Sequence, residues 1–384
     1  MRFRQIDIND CFMERGPQIG VHDLFANEKT LQKLYFLPQD EQCEDRSWFS
    51  LDDEDLTPKS SLELISPALH LIKENEEENQ QRDPTLADVY RMIIAPVADL
   101  LDEAEIVIVP DRFLFKVPFP ALVDESEKYL SDTYRLRIVP SLTTLKLIQD
   151  CPLDYHRQTG ALVVGDPDVG EVCYNGHLYT PGRLPFAREE AEMIGRLLGA
   201  HTLLGEEATK EAVLQRISSV SLIHFAAHGN DERGEIVLAP PSSMDRTPHE
   251  EDYLLTMADI SQVRLRAKLV VLSCCHSARG QIRAEGVVGI ARAFLGSGAR
   301  SVWGALWALE DKATKQFMCH FYEHLVRGES ASESLHQAMR WMRDNGFSEV
   351  RRWAPFMLIG DNVTLDFRKK RYALKNDTLT NCLA

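Results

Sequence analysis

A chain of 384 residues, 44% hydrophobic and 27% charged, has the composition of a soluble globular protein of two or three domains. Its formal net charge of -16 argues against duplex nucleic acid and anionic membrane as partners. Eight cysteines are scattered without a CxxC pair, and no stretch has the apolar length of a signal core or a membrane span. The expectation is therefore a cytoplasmic protein in a reducing compartment, with no metal and no cofactor.

Residues 1–84 are poorly patterned and acidic, with carboxylates around Trp48 and Phe49 and a polar run over 73–83. Such composition reads as solvated chain and carries no function here. Order begins at Thr85, which is placed to cap a helix running to Ile94. Pro96 divides that helix, and 97–101 continue its pattern. Residues 106–109 read as a strand, Asp111 and Arg112 as a turn, and 113–122 as its hairpin partner. Residues 134–139 alternate and predict a further strand, after which Ser141 caps a helix through Leu147.

A second α/β unit starts near Thr159. Its predicted elements are a strand over 161–167, an amphipathic helix over 187–198, a strand over 201–204, and a helix capped by Thr209. An apolar run then ends in His228-Gly229, and a loop over 229–252 leads to a second apolar run that ends at Cys275. The remaining pattern is helix 286–295, strand 300–309, helices 311–325 and 331–343, and strand 355–359. Continuous apolar runs are the mark of strands buried on both faces. Their alternation with helices predicts an α/β fold with a mostly parallel central sheet covered on both faces. The expected organisation is 1–84 as an acidic arm, 85–155 as an N-terminal α/β subdomain packed on the sheet without a catalytic role, 156–365 as the main domain, and 366–384 as a tail.

The two runs that end in polar residues carry the candidate chemistry. Function in open α/β sheets sits at the carboxyl ends of strands. His228 precedes Cys275 by 47 residues, close to the separation of about 50 in caspase-type cysteine proteases. A thiol becomes a strong nucleophile only as the thiolate, and a neighbouring imidazole favours that form. His228 is the candidate base and Cys275 the candidate nucleophile. The backbone N–H groups of Gly229 and Cys275 are candidates for holding an acyl oxyanion, since glycine lets a carbonyl approach the backbone closely.

Bland readings compete at each position. An isolated cysteine is ordinarily a small buried hydrophobe. His224, inside its apolar run, reads as a core histidine. His276 and Cys274 adjoin Cys275 and would point away from it on a strand. Trp303 and Trp307, four apart, read as core residues on one strand face.

At these residues the chain resembles the CHAT domain, a caspase-like domain related to separase and usually found beside tetratricopeptide repeats. The resemblance is carried by IVIVPDRFLFKVPFPAL, YLSDTYRLRIVPSLTTL, LIHFAAHG, VVLSCCHSARG, EGVVGIARAFLGSGARSVWGALWALEDKAT and WAPFMLIG, in family order over about 85–361. It implies a caspase-like three-layer fold and a cysteine peptidase that cleaves a protein substrate through His228 and Cys275. Cys274 stands where the family usually has a small residue. Metacaspases carry an Asp two residues before the nucleophile to bind a basic side chain, and Ser273 stands there. The separase-like pattern implies a pocket role for Asp311. Against that, an acidic residue in a first helical turn ordinarily just complements the helix dipole. The family's repeats are absent from this chain, so the resemblance implies a longer protein or a repeat-bearing partner. The reading from another class is a scaffold or signalling module that keeps the fold for protein–protein contact without turnover.

Overall fold

The computed structural model describes residues 85–367 except 153, 231–233, 279–280 and 284–285. The expected acidic arm, and the tail beyond 367, lie outside the described residues. Eight strands build the main sheet: β1 Glu105–Ile108, β2 Arg135–Ile138, β3 Ala161–Pro167, β4 Thr202–Gly205, β5 Leu222–Ala226, β6 Leu269–Ser273, β7 Ser301–Ala305 and β8 Phe356–Gly360. The longer helices are α1 Leu86–Ile93, α2 Leu142–Gln149, α3 Pro185–Leu198, α4 Lys210–Arg216, α5 Ile290–Gly296, α6 Asp311–Arg327 and α7 Ala331–Asp344.

The strand order is β1-β2-β8-β7-β6-β5-β3-β4. Every pairing is parallel except β7 with β8. The sheet is thus two parallel blocks joined back to back, five strands running one way and three the other. The mostly parallel sheet expected from the sequence is present, and residues 85–155 supply two of its strands through the β2–β8 pairing.

Periodicity explains the central strands. All five residues of β5 and all five of β6 are buried, as continuous apolar runs require when helices cover both faces. Paired residues share a face, so His224, Val271 and Trp303 point one way. On that side Trp303 stacks on Phe356 and packs against Phe317 and Phe321 of α6. On the other, Phe225 meets Phe294 of α5. Helix starts follow local capping: the side chains of Thr85, Ser141 and Thr209 each accept an N–H from the first turn. No described helix is long and apolar enough to cross a membrane.

Three expected elements differ. Residues 113–122 do not pair with β1. They fold as two tight helical turns, Arg112–Lys116 and Phe119–Ala121, and the partner of β1 is the parallel strand β2. Pro118 and Pro120 have no N–H to give a ladder, which disfavours a strand there. The helix expected from 286 begins only at Ile290. Gly286–Val288 is instead a strand, paired in a hairpin with Gln281–Arg283. The strand expected over 300–309 ends at Ala305. Trp307 therefore does not share a strand face with Trp303, and its indole N–H donates to the Arg351 carbonyl in the short helix Val350–Trp353.

Candidate active site

Register brings the two candidate chemical groups to one edge. Ala226, the last residue of β5, pairs with Ser273, the last of β6. His228 and Cys275 each lie two residues beyond that pair, at neighbouring carboxyl ends. Each side chain contacts a segment that leads into a helix, α3 for His228 and α6 for Cys275. The His228 Nε2 lies 2.9 Å from the carbonyl of Gly182, just before α3. The Cys275 sulfur accepts the Leu309 N–H at 3.4 Å, just before α6. The two helix starts are tied to each other, because Asp311 accepts the Phe186 N–H at 3.3 Å and Lys315 pairs with Glu189.

These contacts have chemical consequences. A carbonyl oxygen only accepts, so Nε2 carries the proton in the His228–Gly182 bond. In a neutral ring so oriented the lone pair is on Nδ1, the atom that can take a thiol proton. The Leu309 amide aims a donor at sulfur, the kind of contact that a thiolate accepts more strongly than a thiol. His228 is buried, while Cys275 is partly accessible.

Close backbone packing sets the turn that carries the thiol. Residues 274–278 leave β6 as a turn, not as an extension of the strand, with His276 in the left-handed region at φ 58°. Ser277 ties it down: its hydroxyl donates to the Leu272 carbonyl at 2.9 Å and accepts the Ala305 N–H at 3.0 Å. Two glycines of the loop after His228 press on this turn. A Cβ on Gly229 would lie 2.3 Å from the Cys275 carbonyl oxygen, and one on Gly234 would lie 2.9 Å from Ser277 Cα. Gly229 also bridges to Ile236, but the bonds of that bridge run through His228 O and Asn230 N. The Gly229 N–H takes no part in it.

The neighbours separate by environment. Cys274 is buried, its thiol directed at the Phe225 carbonyl, and burial pushes its pKa far above the ordinary thiol range. His224 is a core histidine, with Nδ1 3.1 Å from the Tyr322 hydroxyl and Nε2 3.0 Å from buried Glu190. The Glu190 contact is close enough for an ion pair but off the hydrogen-bond direction. His276 belongs to the turn, so strand alternation does not set its direction. Ser273 is buried at the end of β6. Asp311 opens α6 and spans to the α3 N-terminus, where a carboxylate complements both helix dipoles.

Residues not singled out from the sequence complete the site. At the end of β3, beside β5, buried Asp166 accepts from Arg183 Nε at 3.1 Å, from Arg183 Nη2 at 2.5 Å and from the Leu184 N–H at 2.8 Å. Arg188 Nε lies 3.4 Å away, and Arg183 also reaches Asp168. An open cavity of about 450 Å³ lies alongside, lined in part by Asp168, Arg183, Arg188, Glu206 and Glu207. Only Gly182, between Pro181 and Pro185, marks this region in sequence as a loop. Among the described residues no group of three or more His, Cys, Asp or Glu side chains could hold a metal ion.

Fold and site define an α/β protein with a histidine and a cysteine at adjacent parallel strand ends. The CHAT domain matches residues 83–361. The chain belongs to the CHAT-domain family. It is 32% identical over 336 residues to tetratricopeptide repeat protein 28 of Mus musculus, and 31% identical over 332 residues to the protein of that name in Homo sapiens. Those matches cover 75% and 74% of this chain but only 14% and 13% of the relatives' own length. Among solved structures, the chain is similar to the Saccharomyces cerevisiae separase–securin complex at 17% identity and TM-score 0.46, over 91% of this chain and 23% of that one. It is also similar to the Arg-specific cysteine proteinase gingipain R at 11% identity and TM-score 0.47, over 72% and 69%. Likenesses of that size carry no argument about the chemistry of this chain.

Proposed function

We propose that this chain is a caspase-like cysteine peptidase acting on a protein substrate in the cytoplasm, with Cys275 as nucleophile and His228 as base. The observation that carries the reading is the equal offset of His228 and Cys275 beyond the paired residues Ala226 and Ser273. In the reaction the thiol proton passes to His228 Nδ1 and the sulfur attacks the peptide carbonyl. The N–H groups of Gly229 and Cys275 receive the oxyanion. The C–N bond then breaks as the imidazolium returns its proton to the leaving amine, and water hydrolyses the thioester. Ser273 offers no charge for a basic pocket, and Asp311 is engaged by Phe186, so a preference set by Asp311 requires that contact to be shared with substrate.

A peptide probe bearing a thiol-reactive acyloxymethyl ketone tests this. Wild type is expected to be labelled at Cys275, and Cys275→Ala and His228→Ala are expected to lose labelling. Labelling of wild type no faster than of His228→Ala would overturn the reading. The second reading is a protein-binding module without turnover. It is favoured by relatives named for their tetratricopeptide repeats, of which this chain spans a small part. Partner binding that survives both substitutions, with no labelling of wild type, is its signature.

A further inference from the structure

Gly182 is exposed, yet its carbonyl lies within hydrogen-bond reach of the His228 ring. A ring oriented by a loop carbonyl is only as well placed as the loop. The carbonyl of Gly182 belongs to the peptide unit whose nitrogen is that of Arg183. The Arg183 side chain and the next N–H, of Leu184, both bind one carboxylate, Asp166. Asp166 is 3% exposed, so that carboxylate is held by the sheet and does not move with the loop.

The backbone at Asp166 is itself unusual. Its φ is 44°, in the left-handed region that a residue other than glycine seldom occupies, and the β3–β4 register slips between Gly165 and Pro167. A bulge of this kind re-aims a side chain at a strand end, and a strained residue kept at such a place points to a function for its orientation.

We propose that Asp166 and Arg183 are positioning residues for His228. The inference rests on the reading of His228 as the base. The buried carboxylate clamps the 182–184 segment through the bidentate guanidinium and the Leu184 amide. The clamped carbonyl holds the imidazole with its proton on Nε2 and its lone pair on Nδ1, towards the thiol. Loosening the clamp frees the ring to rotate or to change tautomer, and either change weakens its hold on the thiol proton.

The test reads thiolate formation without any substrate. Iodoacetamide alkylation of Cys275 is followed by mass spectrometry of its peptide across pH for wild type, Asp166→Asn, Arg183→Ala, Arg183→Lys and His228→Ala. Wild type is expected to react well below the pH at which an ordinary thiol ionises. Asp166→Asn and Arg183→Ala are expected to lose about tenfold in rate near neutral pH, equivalent to about one unit of thiol pKa. Their rates should converge with wild type in alkali, and their melting temperatures should match it. Arg183→Lys keeps the charge without the fork, and is expected to fall between. Folded variants with the wild-type profile would overturn the clamp while leaving the dyad intact. A wild-type profile identical to that of His228→Ala would overturn the dyad and the clamp with it. Should Asp166→Asn not fold, Arg183→Ala decides, because it alters a side chain that is 46% exposed.

Discussion

Gly229→Ala tests the close packing that joins the two strand ends. The new Cβ would sit 2.3 Å from the Cys275 carbonyl oxygen and 3.3 Å from both the Cys275 carbonyl carbon and Cys274 Cβ. An ordinary carbon–oxygen contact is longer by about 1 Å, and the atom struck is backbone, so no side-chain rotation relieves it. Gly229 does not have a positive φ, so the substitution carries no left-handed penalty. The smaller entropy of the unfolded chain even favours alanine by up to about 1 kcal/mol. Overpacking of a filled interior costs about 1–3 kcal/mol, and backbone collision belongs at the upper end. The expected net loss is about 2 kcal/mol, or about 3 °C in melting temperature for a domain of this size. If the turn yields instead, Cys275 moves by about 1 Å, and a displacement of that size costs about a hundredfold in reactivity. Thermal melting and peptide-probe labelling of Cys275 read the two outcomes. Gly296→Ala is the control, since nothing lies within 4 Å of its Cβ position. A Gly229→Ala protein that melts and labels as wild type would refute the geometry argued for the turn.

Cys274→Ala should leave Cys275 labelling unchanged and cost little stability, because the Cys274 thiol is buried and held protonated; alkylation mapped by mass spectrometry checks it. Stability should fall on mild acidification. Burial lowers the pKa of His156, His320 and His336 below the ordinary value of 6.5, and for His336 the nearby Arg340, Arg343 and Arg135 add to it. The unfolded chain then binds protons that the native state resists, so this stability is present above pH 6.5 and is lost as pH falls through the lower folded values. Urea midpoints on either side of that window measure the loss, and His336→Leu should shrink the difference; an unchanged difference counts against the assignment. The carboxyls of Asp259 and Glu333 act in a separate, more acidic window. Burial raises both, but hydrogen bonds from Lys210 and Thr256 to the first, and from Gln337 and Arg135 to the second, outweigh it and hold them low.

What local rules govern was legible in the chain. The capped starts at Thr85, Ser141 and Thr209 follow from a side-chain oxygen within reach of its own first turn. The strands that carry His228 and Cys275 follow from continuous apolar runs, and polar residues after each run marked where chemistry would lie. Elements that depend on a partner were not legible. The segment 113–122 has the composition of a strand, but strand pairing is decided by a neighbour, and β2 occupies the place beside β1. The apolar residues from 286 suit either a helix or a short hairpin, and pairing with Gln281–Arg283 decided for the hairpin.

His228 and Cys275 were nameable from sequence because each follows the end of its own apolar strand. Whether they share an edge depends on the β5–β6 register, which sequence spacing does not encode. The supports of the site were out of reach altogether: Gly182, Asp166, Arg183 and Leu309 stand in three separate stretches of chain. They act through a backbone carbonyl, a backbone amide and an ion pair with one buried partner. Backbone groups are alike at every position, and an ion pair declares its partner only once folding has brought the two charges together. The sequence by itself therefore determined the elements and the reactive groups; only the tertiary structure decided which backbone atoms hold those groups in place.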